Sequence, residues 1–145
     1  MGRGRRLLVP VDGSDHSRQA LIVAATEFDS AEIIVLHVLD PFTVASVSEE
    51  AVWDREFMER REGEAEELLD EYEAIAAEQD ISVETEIAHG SPSRAILGAV
   101  DDFDIDHVVI GSRGRTGAGR VVLGSVAETV AKRAPVSVTI VRPDA

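Results

Sequence analysis

Residues 108–126 read VVIGSRGRTGAGRVVLGSV. An apolar run of strand length ends at Gly111, a segment rich in glycine and arginine follows, and Gly124-Ser125 opens the helical pattern GSVAETVAKRA. A strand that leads through a loop into a helix is the first part of a crossover, and it needs another strand beyond the helix. VSVTIV over 136–141, just after the helix-stopping Pro135, supplies that strand. The fold class then depends on whether the rest of the chain repeats the unit.

It does. RLLVPVD over 6–12 is a short apolar run closed by the turn DGSD, and it reads as a buried strand. Pro10 is awkward in a central strand because it has no N–H; it fits if the ladder ends there. A helix follows over about 15–28, with Leu21, Ala24, Ala25 and Phe28 on one stripe and Ser14 as N-cap. AEIIVLHVLD (31–40) is the second strand, and the loop PFTVASVS comes after it. A long helix over about 49–79 has Ser46 and Glu49 at capping-box spacing. Its apolar stripe is Ala65, Leu68, Leu69, Tyr72, Ile75 and Ala76, and its other face is a solvated acidic one. ISVETEIAHG (81–90) alternates apolar and polar residues, as a half-exposed strand near a sheet edge does. Ser91 as N-cap and Pro92 at the first helical position start another helix. DHVVIG then leads into the opening stretch. Strands alternating with helices predict one α/β domain over 1–145, Rossmann-like, with a doubly wound parallel sheet and helices on both faces.

The chain of 145 residues carries 14 Lys and Arg against 28 Asp and Glu, a net charge of −14. Such a surface repels phosphate backbones, so nucleic acid is not an expected partner. There is no cysteine, which excludes disulfides and thiolate metal sites. No apolar run is long enough for membrane insertion, and a cytoplasmic location is the simplest expectation.

Against that charge, 108–126 holds Arg113, Arg115 and Arg120 and none of the 28 carboxylates. In open sheets of this type, ligands sit beyond the carboxyl ends of the strands. Gly111 and Gly114 let the backbone approach a ligand and turn N–H groups toward an anion. Gly124-Ser125 begins a helix, whose first turn offers N–H donors and partial positive charge. The pattern suits a nucleotide or polyphosphate, with the arginines supplying full charge and Gly117 and Gly119 loop flexibility. A flexible surface loop with solubilising arginines is the alternative. The stretch is neither a P-loop, since G-x-x-x-x-G-K-[ST] is absent, nor a dinucleotide fingerprint, since it follows the fourth strand and not the first.

The spacing G-x2-G-x9-G-S, as Gly111, Gly114, Gly124 and Ser125, resembles the ATP-binding signature of the universal stress protein family. LLVPVDGSDHSRQAL, IIVLHVLD, GSPSRAIL and VSVTIVRP resemble further family segments in the same order. The resemblance implies a five-stranded parallel sheet in order 3-2-1-4-5 and a homodimer paired through the last strand, Val136 to Val141. It implies ATP as ligand, with Pro10, Val11 and Asp12 against adenine and ribose and Val38 on the adenine side. Gly111 would lie by the ribose, and Arg113, Gly114, Gly124, Ser125 and Val126 around the phosphates. Ala127 stands where some relatives have a hydroxyl residue. Asp12 could also help hold a metal such as Mg with the phosphates, or serve only as a turn-forming residue.

Other candidates are weaker. His16, His37, His89 and His107 lack metal-ligand spacing, although His37 and His89 fall near strand ends. Ser14 and Ser17 have no His-Asp arrangement beside them. Trp53, Phe57 and Met58 are expected to pack the core or cover the mouth of the cleft. The expected function is an ATP-binding regulator of the stress response. A slow ATPase or phosphotransferase and a nucleotide-independent dimeric interaction protein are the alternatives. Excess acid with Lys132 as the single lysine also suggests a salt-loving source, because salt screens repulsion. Stability should rise from low to molar KCl in thermal melts, and indifference to salt overturns that expectation.

Overall fold

The computed structural model describes residues 5–28, 30–40, 55–112 and 123–143. Its elements are β1 (Arg6–Val11), α1 (Asp15–Glu27), β2 (Glu32–Leu39), α2 (Arg55–Glu78), β3 (Glu84–His89), α3 (Pro92–Asp102), β4 (His107–Gly111), α4 (Ser125–Arg133) and β5 (Ser137–Val141). The strands are parallel, in the order β3-β2-β1-β4-β5 that the resemblance implied. Several expectations lie outside the described residues: the start of the long helix with Ser46, Glu49 and Trp53, and Arg113, Gly114, Arg115, Gly117, Gly119 and Arg120 of the loop. Among the described residues, no helix is long and apolar enough to cross a membrane.

The near-continuous apolar runs of β1, β2 and β4 follow from burial on both faces of the sheet. Leu7, Val9 and Val11 pack with Ile33, Val35 and Val109 under α1 and α2, against Ala20, Leu21, Ala24, Leu69 and Tyr72. Leu8, Ile34, Leu36, Val108 and Ile110 face the other layer, where Ile96 and Val100 of α3 and Ala127 and Val130 of α4 meet them. Strand alternation thus sends neighbours into different cores. Leu7 and Leu8 are both fully buried, and each such side chain contributes about 1.5–3 kcal/mol. The edge strand β3 is half-exposed, as its alternation predicted.

Helix ends account for the boundaries that differ from expectation. The strand expected over 81–90 begins only at Glu84. Ile81 instead closes α2: its N–H donates to Ala76 O at 3.0 Å, while Asp80 takes φ 60°. That is a Schellman-type ending with Asp in the left-handed position, so the amide of Ile81 is spent on the helix. The same device ends α3, with Asp104 at φ 52° and Ile105 N–H on Val100 O at 3.0 Å. At the starts, Ser14 caps α1 by accepting Ser17 N–H at 3.1 Å. Ser91 occupies the N-cap of α3 but makes no side-chain capping bond; Pro92 alone marks that start.

Pro10 lies within β1, in register with Leu36 of β2. Among the described residues, β1 pairs with β4 only at Leu7↔His107 and Leu8↔Val108. The ladder on that side ends before Pro10, so its missing N–H costs no rung there.

Beyond this point β4 meets α1 instead. A Cβ on Gly111 would stand 2.8 Å from the carbonyl carbon and Cβ of His16 and 2.9 Å from its carbonyl oxygen. No side chain fits between the strand and the helix backbone. Gly111→Ala should push α1 off β4 and lower stability by about 1–3 kcal/mol. Urea unfolding measures this, and an unchanged midpoint contradicts the close approach.

Candidate functional site

α1 leaves β1 for one face of the sheet and α4 leaves β4 for the other. The carboxyl ends of β1 and β4 are therefore the point where the winding switches, the place where such sheets take ligands. Three pieces of chain converge there: the turn after β1, the end of β4, and the first turn of α4.

The turn after β1 is held from several sides. Gly13 takes φ 84°, a conformation that favours glycine. Ser14 N–H donates to Asp12 Oδ1 at 3.0 Å, so Asp12 does form an Asx-type turn. Asp12 N–H donates to Ser17 Oγ at 3.3 Å, and Gly13 N–H donates to the Tyr72 hydroxyl at 3.1 Å. Tyr72 and Ser17 share a bond of 2.5 Å. Burial pushes the Tyr72 phenol above its ordinary pKa, although its bonds to Ser17 and Gly13 pull the other way. At neutral pH it is a neutral hydroxyl that can donate as well as accept.

The loop between β4 and α4 is closed at its base by Ser112. Ser112 N–H donates to Val141 O at 2.8 Å, and its own carbonyl accepts Gly124 N–H at 2.8 Å. Its buried Oγ lies 2.9 Å from Nδ1 of His16. One residue thus ties the end of β4 to β5, α1 and the start of α4. Gly124 is the N-cap of α4, with Ser125 exposed and Val126 half-buried behind it. The first N–H groups of a helix have no partner within it and favour anions. Glu128, also in that first turn, opposes an anion, but Lys132 Nζ engages it at 3.1 Å.

The residues picked from the sequence divide accordingly. Val38 packs half-buried on the α3–α4 side of the sheet, and Pro10 falls at the alternate strand position to Val9 and Val11, toward the same side. Val11 is different: its side chain is buried under α1 and α2, so only its backbone is left for a ligand, and its carbonyl accepts from His37 Nδ1 at 2.8 Å. Because a carbonyl only accepts, that nitrogen carries the hydrogen. Gly111 has the packing role against His16 described above. Gly124, Ser125 and Val126 sit together at the start of α4. Arg113 and Gly114 lie outside the described residues.

Of the other histidines, His89 makes an exposed pair with Glu62 at 3.1 Å. His107 starts β4, at the opposite end of that strand from the switch point, where it bonds Thr139 Oγ1 at 2.7 Å and stacks edge-on against Phe28. Among the described residues, no group of three His, Asp or Glu side chains could hold a metal ion. Sequence reasoning missed Ser112 and treated Tyr72 as core alone. The available signal for Tyr72 was its hydroxyl, which needs a partner when buried.

The model of the universal stress protein family matches residues 4–142. A universal stress protein of Methanocaldococcus jannaschii, MJ0531, is 33% identical over 95% of this chain and 82% of the relative. The solved structure of universal stress protein UspA from Lactobacillus plantarum superposes with TM-score 0.80 at 26% identity, covering 98% of this chain and all of that one. A universal stress protein family protein from Arabidopsis thaliana, solved with AMP bound, shares the fold at TM-score 0.67 and 22% identity, covering 97% and 93% of the two chains. With the sheet order and the switch-point geometry in place, these matches over nearly the whole chain mean that it belongs to the universal stress protein family.

Proposed function

We propose that this protein is a cytoplasmic ATP-binding regulator of the stress response, with the nucleotide at the carboxyl edge between β1 and β4. The observation that carries this reading is the closed neck at Ser112. Its bond to Gly124 draws the end of β4 and the first turn of α4 together beside the turn after β1. The AMP-bound relative supports the reading at the level of the fold. Pro10 and Val38 would bound the base, and the backbone of Val11 and Gly111 and the carboxylate of Asp12 would face the ribose. Arg113, Gly114, Gly124, Ser125 and Val126 would take the phosphates. Mg would arrive with the phosphates and take Asp12 as its protein ligand, since hard cations prefer oxygen.

We also propose that two copies pair through β5. It lies at one edge of the sheet, and unpaired strand edges invite another chain. A two-fold partner would satisfy both edges at once.

Calorimetry with ATP, with and without Mg, tests the ligand. Wild type should bind, and Gly114→Ala should bind about ten- to a hundredfold more weakly through loss of charged hydrogen bonds to phosphate. Equal affinity overturns the phosphate assignment, and ADP appearing with turnover shifts the reading to a slow ATPase. Light scattering at micromolar concentration should give twice the 15.6 kDa chain mass, and a monomer contradicts pairing through β5.

A further inference from the structure

We propose that Tyr72 is a positioning residue of the site: from α2 it latches the Asp12–Ser14 turn through a directed chain of buried hydroxyl bonds. The proposal rests on the nucleotide reading above for its functional consequence, and on the hydrogen-bond geometry for its mechanism.

Proton bookkeeping gives the chain its direction. Gly13 N–H can only donate, so the Tyr72 oxygen accepts it at 3.1 Å. Ser17 Oγ lies 3.0 Å from the carbonyl of Ser14, which can only accept, so the Ser17 hydroxyl donates there. That leaves the 2.5 Å bond between Tyr72 and Ser17 to be donated by the phenol. Every proton in the sequence Gly13 N–H, Tyr72 O–H, Ser17 O–H, Ser14 C=O then has one acceptor. Reversing the middle bond takes the Ser17 proton from the Ser14 carbonyl and leaves the phenol to find a different acceptor inside the core. Tyr72 has no exposed surface and Ser17 is buried, so that reversal is costly. The raised pKa of Tyr72 keeps the donor proton in place.

The chain spans elements that the sheet does not join. Tyr72 sits in α2, Ser17 in the first turn of α1, and Gly13 in the turn between β1 and α1. Gly13 at φ 84° and the Asx bond of Asp12 set where the carboxylate and the next amides point. Leu68, one turn before Tyr72, lies 3.5 Å from where a Gly13 Cβ would be and walls the same turn. α2 therefore presses the turn into shape with one side chain and ties it with another.

The test uses full-length wild type, Tyr72→Phe, Ser17→Ala, the double variant, and Leu69→Val as a control in the same layer. Two quantities are read: ATP and AMP affinity by calorimetry, and amide exchange of Gly13 by NMR. Tyr72→Phe keeps the ring and its packing but removes the hydroxyl. Its Gly13 amide should exchange about tenfold faster, and its nucleotide affinity should fall about five- to tenfold, the scale of one hydrogen bond. The double variant should lose no more than the worse single one, because both cut one chain. Leu69→Val should lower stability and leave affinity unchanged. Full-strength binding by Tyr72→Phe, or an equal loss in Leu69→Val, overturns the proposal. If wild type binds neither nucleotide, the functional reading falls and the latch is judged by Gly13 exchange alone. Faster exchange in Tyr72→Phe then supports the latch, and unchanged exchange overturns it.

Discussion

Two backbone hydrogen bonds at Ser112 organise the carboxyl edge of the sheet. Its N–H reaches the last residue of β5 and its carbonyl receives the N-cap of α4. These bonds lie in a buried residue, where an unmade bond is costly, so they favour one arrangement of β4, β5 and α4. The bond from Ser112 Oγ to His16 adds α1 to the same knot. Gly111, one residue earlier, permits it by bringing bare backbone against the helix. The glycine thus serves packing first: without it, α1 could not lie close enough for the serine to be reached.

The two layers divide the work around this knot. The α1–α2 layer shapes the turn after β1, through the cap at Ser14, the hydroxyls of Ser17 and Tyr72, and the side chain of Leu68. The α3–α4 layer supplies the first turn of α4 and the apolar side of the sheet that carries Val38. β1 runs between them with its alternate residues in opposite cores, so neither layer shifts without straining the other. Among the described residues, β1 and β4 pair only at Leu7 and Leu8, and beyond them Gly111 of β4 meets the backbone of α1 at His16.

Charge adds a second contrast. The chain carries −14 overall, and the outer face of α2 is dense in carboxylates. Between Gly111 and Ser125 there is no acid, and three arginines stand there. An acid-free, arginine-bearing segment weakens the general repulsion of anions in its own surroundings, and the first N–H groups of α4, which follow it, favour an anion as well.

Local pattern made much of this legible. The apolar runs at 6–12, 31–40 and 108–111 named the buried strands because both faces of a covered parallel sheet must be apolar. The Pro92 and Gly124-Ser125 signals placed helix starts because they act through neighbouring backbone alone. Where distant residues compete for one group, the pattern failed. The amide of Ile81 belongs to a helix ending, which shortened β3, and Ser91 caps by position without a side-chain bond. Packing also turned the side chain of Val11 into the core and set Gly111 against His16, so the contacts that the resemblance implies at these two positions fall to backbone atoms. By itself the sequence determined the fold class, the order of its elements and the glycine-arginine segment that marks the switch point, because periodicity and turn chemistry are local. Only the tertiary structure decided that Tyr72 reaches Gly13 and that Ser112 gathers four elements, because those bonds join residues far apart in the chain that meet only when both cores are packed.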